Sequence, residues 1–273
     1  MMATWVMAAL TFKEAARKKI LWMALLAGLA FLTLFGVAEH YQTLSPRATS
    51  FRLQILNTQF IVALYALNFL VLAMTVLTSV DTLSGEITSG TIHAVATKPI
   101  RRSELLMGKW LGFVGMLTIF LVLMVSGLVG VTYWMSGYQP HHVLRGCTLM
   151  WLEGTLLLTL TFVFGTSFST LTNGVMALGL HGLAFLGGWI EQFGRVTENE
   201  RVVTVGVLAS IVMPSEALWR RAAFEMQSPV VGALGFSPFG AGVVPSRAMV
   251  GYAVAYTAIA LGLALRLFGK RDL

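Results

Sequence analysis

Charged side chains are scarce in this chain: 11% of its 273 residues carry charge, while 56% are hydrophobic. With a mean hydropathy of +0.77, so little charge excludes an ordinary soluble fold and describes a chain whose solvent is mostly lipid. Cysteine is nearly absent. Cys147 stands alone, which excludes both an intrachain disulfide and a cysteine-ligated metal cluster. Nucleotide-binding chemistry is missing as well, because no run of the form GxxxxGK[ST] occurs to cradle phosphates. Acids number 12 against 19 lysines and arginines, giving a net charge of +7 and a pI near 9.9. In a soluble protein that excess would suggest nucleic acid. Here the bases flank apolar runs and serve as topology anchors, so no nucleic-acid partner is expected. The order of a cleavable signal is also missing, since the apolar stretch 1–10 precedes Lys13, Arg17, Lys18 and Lys19 instead of following them; the N-terminus is expected to stay on the protein.

What the chain has is long apolar runs. They predict an all-α membrane protein, a single transmembrane domain over 1–273, with six transmembrane helices at about 20–38, 56–80, 110–134, 148–170, 174–190 and 247–268, each adequate for a hydrocarbon core roughly 30 Å thick. Six crossings place both ends on one side. Lys98, Arg101, Arg102, Lys109, Arg266, Lys270 and Arg271 join the N-terminal bases on short segments of that side, whereas the arginines of the other side are spread over much longer sequence. The bias puts both termini in the cytoplasm of a multi-pass protein of the inner (cytoplasmic) membrane. Trp22, Trp110, Trp134, Trp151 and Trp189 mark span ends, as rings that prefer the headgroup level should.

Two amphipathic segments flank this plan. Thr4 to Ile20 alternates Trp5, Ala8, Ala9, Phe12 and Ala16 with the N-terminal bases, which predicts a helix on the cytoplasmic leaflet. In the outer segment 191–246, the apolar part of Arg201 to Met213 is too short to span, so it is expected to be re-entrant or interfacial. Pro214 interrupts it, Ser215 is placed to cap a new helix, and Trp219, Ala222, Ala223 and Met226 share one face while Arg220, Arg221 and Glu225 point elsewhere; a helix lying at the outer surface follows.

Between the second and third spans lies a charged island, DTLSGEITSGTIHAVATKPIRRSELLMGK, residues 81–109. Leu83 and Ile87 fall one turn apart, and Ile92 and Val95 follow at three-residue spacing, which predicts a short helix with one sticky face. Pro99 ends it, and Ser103 with Glu104 supplies a cap and an acid for a second helix running into the third span. Helix, stop and helix together suit a lever that carries motion into the bilayer, whereas a loop kept only for topology would not need the acid, glycines and proline at these spacings.

This island resembles the first cytoplasmic loop of ABC-2-type transporter permeases. The run acid-x-x-x-Gly-Thr-aliphatic is Glu86, Gly90, Thr91 and Ile92, followed by Pro99, Arg101 and Arg102, and Gly108-Lys109. The turn SFSTLTNGVMALG is similar to the family's second short cytoplasmic loop and FGKRDL to its basic tail. The long outer segment resembles the permeases grouped with nitrous-oxide reductase and multicopper-enzyme maturation. The resemblance implies an N-terminal amphipathic elbow helix, a cytoplasmic coupling helix and, before the last span, outer re-entrant or interfacial helices. It also implies a non-catalytic permease subunit of an ATP-driven exporter, paired as a homodimer or with a related permease, in membrane lipid. ATP and magnesium are expected in a separate ABC ATP-binding subunit, with no cofactor in this chain. The ATPase-coupling interface it implies comprises Asp81, Gly85, Glu86, Gly90, Thr91, Ile92, Pro99, Arg101 and Arg102, with Thr172 and Asn173 from the second loop. The alternative is a membrane subunit that transmits ATPase motion to an extracytoplasmic partner without moving solute.

Other polar residues are weighed against these. His141 and His142 with Met135, Cys147 and His40 could suggest copper or zinc, but adjacent histidines with no carboxylate in the loop do not form such a site, and no metal is expected. Asn68 and His181, at lipid depth, are expected to make hydrogen bonds between helices. An intramembrane hydrolase would need Ser167 or Ser169 as nucleophile with His181 as base, without a Gly-x-Ser-Gly turn around either serine.

Overall fold

A computed structural model describes residues 2–43, 52–88, 101–229 and 244–270. Among the described residues the chain is helical with no strand, in ten helices: α1 Met2–Arg17, α2 Lys19–Thr43, α3 Arg52–Ser79, α4 Asp81–Thr88, α5 Arg102–Ser136, α6 Val143–Gly165, α7 Thr170–Val196, α8 Glu200–Val212, α9 Ser215–Met226 and α10 Arg247–Lys270. Six stretches are long and apolar enough to cross a membrane: α2, α3 continued into α4 as far as Glu86, α5, α6, α7 and α10. Backbone groups in hydrocarbon must be satisfied within the segment, which is why such runs fold as helices.

The helix ends follow local chemistry more closely than the apolar pattern does. α6 begins at Val143 and stops at Gly165, short of residue 170, because residues 166–169 form a turn closed by Ser167 N–H and Phe168 N–H donating to Phe164 O. Ser169 then caps α7, its hydroxyl oxygen accepting from Thr172 N–H. At the start of α5 the cap position is Arg101, not Ser103, and Glu104 reaches back to accept from Arg101 N–H at 3.3 Å. Gly137 ends α5 at φ 72°, its N–H donating to Tyr133 O.

Helix α6 lies at the centre, packed by α3, α5, α7, α9 and α10, and is buried without a break from Glu153 to Val163. An apolar helix buried all round belongs inside a bundle. By contrast α2 and α10 present Trp22, Leu26, Leu34, Ile259 and Leu263 outward, surfaces that a bilayer can cover. Helices in lipid gain little from the hydrophobic effect and associate by close packing. Thus a Cβ on Gly206 of α8 would lie 2.6 Å from Glu191 N and from Gly187 O of α7, so these two helices touch backbone to backbone. The same holds between α1 and α5, where Gly112 lies under Ala8 O and Gly108 under Thr4 O. The face of α1 turned to α5 carries Ala8, Thr11 and Ala15, while Trp5, Val6 and Leu10 stay exposed.

Helices α8 and α9 form a broken pair bent by 100° at Pro214. Here the structure departs from the expected surface helix. Pro214 itself occupies the cap position of α9, and Ser215, its first residue, is buried. Arg220 does not point outward: it is 8% exposed because its guanidinium donates to Glu191 of α7 at 2.6 Å. Arg221 and Glu225 do pair with each other one turn apart at 3.2 Å. Nearby, Tyr138 O–H and Ser228 N–H both donate to Asn57 Oδ1, at 2.8 and 2.7 Å. Burial pushes the Tyr138 phenol up to about 12.

Candidate functional site

The charged island begins where α3 passes through Val80 into α4, and hydroxyl and amide side chains fasten this junction to the turn between α6 and α7. Asn173 Nδ2 donates to Val80 O at 3.0 Å and to Thr161 O at 2.9 Å. Thr170 O–H donates to Asp81 Oδ1 at 3.1 Å, and the Ser84 and Thr170 hydroxyls share a bond of 2.9 Å. One turn inward, the Ser79 and Thr161 hydroxyls do the same at 2.9 Å. Gly85 leaves room for the Asp81 carboxylate, which a Cβ there would strike.

A second tie binds α4 to α5. Lys109 Nζ is paired with Glu86, and the lysine is 5% exposed, so its ammonium has left water for this carboxylate. Glu86, one of the residues the resemblance places at the coupling interface, is therefore engaged within the chain. Leu83, 2% exposed, likewise packs into the bundle rather than offering a sticky outer face. Arg102 donates to Gly269 O at 3.4 Å, a cation at the negative C-terminal end of α10. Lys18 Nζ donates to Thr78 O at 3.3 Å, which ties the α1–α2 junction to the end of α3.

Of the residues expected at this site, Asp81, Gly85 and Asn173 meet around Val80 and Thr170, and exposed Thr172 stands beside them, its hydroxyl 3.0 Å from that of Ser169. Glu86 turns to Lys109, and Arg101 and Arg102 open α5. Gly90, Thr91, Ile92 and Pro99 lie outside the described residues, as does Val95. Sequence reasoning missed Ser84, Thr161 and Thr170, because isolated hydroxyls in apolar helices are commonplace.

Deeper in the bundle lies a polar layer. Asn68 Nδ2 of α3 donates to Glu153 Oε2 of α6 at 3.0 Å, and His181 Nδ1 of α7 is 3.1 Å from Ser215 Oγ of α9; each residue bridges two helices, as polar groups at this depth should. Glu191 accepts from Arg220 and, at 3.2 Å, from Arg195. His181 contacts neither Ser167, which lies 3.3 Å from Thr166, nor Ser169, so the hydrolase pairing is not assembled. Glu153, Glu191 and Glu216 were passed over, though a lone acid within an apolar run is itself a signal.

Put together, the island end of the bundle joins α3, α4, α5, α6 and α7 by side-chain bonds, with charged residues at its rim. The family model described as ABC-2 family transporter protein matches residues 5–273, and no curated protein matches the chain.

Proposed function

Since the chain belongs to the ABC-2 family of transporter proteins and is thus a permease, we propose that it is the membrane subunit of an exporter driven by a separate ABC ATPase. The observation that carries this reading is the doubly fastened α4: Glu86 holds it to α5 through Lys109, and Asp81 and Ser84 hold it to Thr170. A helix fixed at both flanks passes a push from outside the membrane into three spans, whereas a loose loop would absorb it. In this reading α4 is the coupling helix, and α1, seated on Gly108 and Gly112, is the elbow. Asp81, Thr172 and Arg101, exposed at the same end, are the groups presented to the ATPase. A second permease copy completes the transporter in the inner membrane, with both termini cytoplasmic and on the ATPase side.

Affinity purification of the tagged chain from its native membranes tests this directly. An ABC ATPase is expected to co-purify, and its hydrolysis in proteoliposomes is expected to fall several-fold with Asp81→Arg or Arg101→Glu. Recovery of the chain without any ATPase, from membranes cross-linked beforehand, overturns the reading.

A further inference from the structure

Glu153 is the most enclosed acid among the described residues, 0% exposed, in the stretch of α6 that is buried all round. Its bond from Asn68 Nδ2 at 3.0 Å joins α6 to α3. Two atoms of this pair have no donor, Glu153 Oε1 and Asn68 Oδ1, and both are sealed from solvent. An ionised carboxylate has only acceptors, and so has an amide oxygen; with Glu153 charged, neither atom can satisfy the other.

The described surroundings pair no cation with it. Among the described residues no ion pair reaches Glu153; the guanidinium of Arg220 on α9 pairs with Glu191 on α7 and its charge also acts on Glu216. The groups whose fields act on Glu153 are Glu216 of α9, a second carboxyl, and Tyr65 of α3, a phenol. His181 of α7 is turned to Ser215. A lone carboxylate in such a place would be severely penalised, since no cationic side chain among the described residues pairs with it.

One proton resolves all of this. Placed on Oε1, it makes the acid O–H a donor and Asn68 Oδ1 its acceptor, while Nδ2–H still donates to Oε2. An acid–amide ring of that kind would leave neither atom orphaned. We propose that Glu153 is a proton-binding site, occupied in this conformation, and that the bound proton adds a second hydrogen bond between the Asn68 and Glu153 side chains that link α3 to α6 inside the bundle. It follows that any movement parting these two helices and admitting water releases the proton.

Infrared spectra of the purified full chain in lipid nanodiscs test the assignment. The wild type minus Glu153→Gln difference is expected to show a carbonyl stretch of a protonated carboxylic acid that shifts down in D2O. Glu153→Gln should keep the thermal midpoint of the wild type, because its amide can donate to Asn68 Oδ1 and accept from Nδ2, whereas Glu153→Ala should lower it. Should Glu153→Gln not fold, Asn68→Leu gives an independent reading: the acid band should move to higher frequency as its carbonyl loses a donor. A difference spectrum showing carboxylate bands in place of the acid band overturns the proposal. So does an acid band in the wild type that vanishes on adding sodium or potassium, or one that Asn68→Leu leaves unmoved.

Discussion

Lys109 decides how Glu86 can be probed. Reversing Glu86 alone would set two ammonium groups against each other inside the chain, and loss of the buried lysine's partner would destabilise on the order of 2 kcal/mol, less than for a fully buried pair because Glu86 still meets water. The informative variant is the exchange Glu86→Lys with Lys109→Glu. If the pair acts only as an internal tie, the exchange restores both the thermal midpoint and coupled hydrolysis that either single reversal lowers; restored stability with hydrolysis still uncoupled would instead assign Glu86 a contact on the ATPase. Tyr138 offers a second residue-scale prediction. Tyr138→Phe leaves Asn57 Oδ1 with Ser228 N–H alone and should cost about 1 kcal/mol, read by thermal unfolding in detergent. Because the folded phenol lies near 12 against an ordinary value of 10.0, its contribution is complete below 10 and is lost as pH rises toward 12. The difference between wild type and Tyr138→Phe should therefore be flat across neutral pH.

At the scale of elements, backbone contact between helices makes a sharp forecast. Gly112→Leu must push against Ala8 O and Thr11 of α1, and the displacement should cost about 1–3 kcal/mol. Gly130→Leu, with nothing within 4 Å of its added Cβ, should be near neutral. A disulfide engineered between α1 and α5 would form in the second variant and fail in the first; equal cross-linking would mean that α1 is not seated there. These seats also explain what the sequence could and could not say. The six long helices were legible because length and apolarity are local properties. The inward turn of Arg220 was not, since its charge points outward on any helical wheel until Glu191, 29 residues earlier, is brought beside it. The tie of Glu86 to Lys109 was hidden for the same reason: the motif around Glu86 is local, but Lys109 lies across an intervening segment and on another helix. Asn68 and His181 were read correctly as bridges, although which helices they bridge waited on the fold.

For the whole molecule, the plan of six crossings with α4 and α8 on opposite sides is open to a labelling test. In a Cys147→Ser background, Ser103→Cys and Glu200→Cys, both at exposed positions, should differ toward an impermeant maleimide on intact cells, with Glu200→Cys labelled and Ser103→Cys protected. Equal labelling, or the reverse, would overturn the orientation. The seat of α1 carries one more consequence, for the order in which the protein is built. Helix α1 leaves the ribosome ahead of the glycines that receive it, since Gly108 and Gly112 are synthesised only after α2, α3 and α4. Through that interval α1 has an unmatched face and must wait at the membrane, so a helix made before α5 is fitted only after it, and a chain stalled short of α5 would display that face to the cell's quality control.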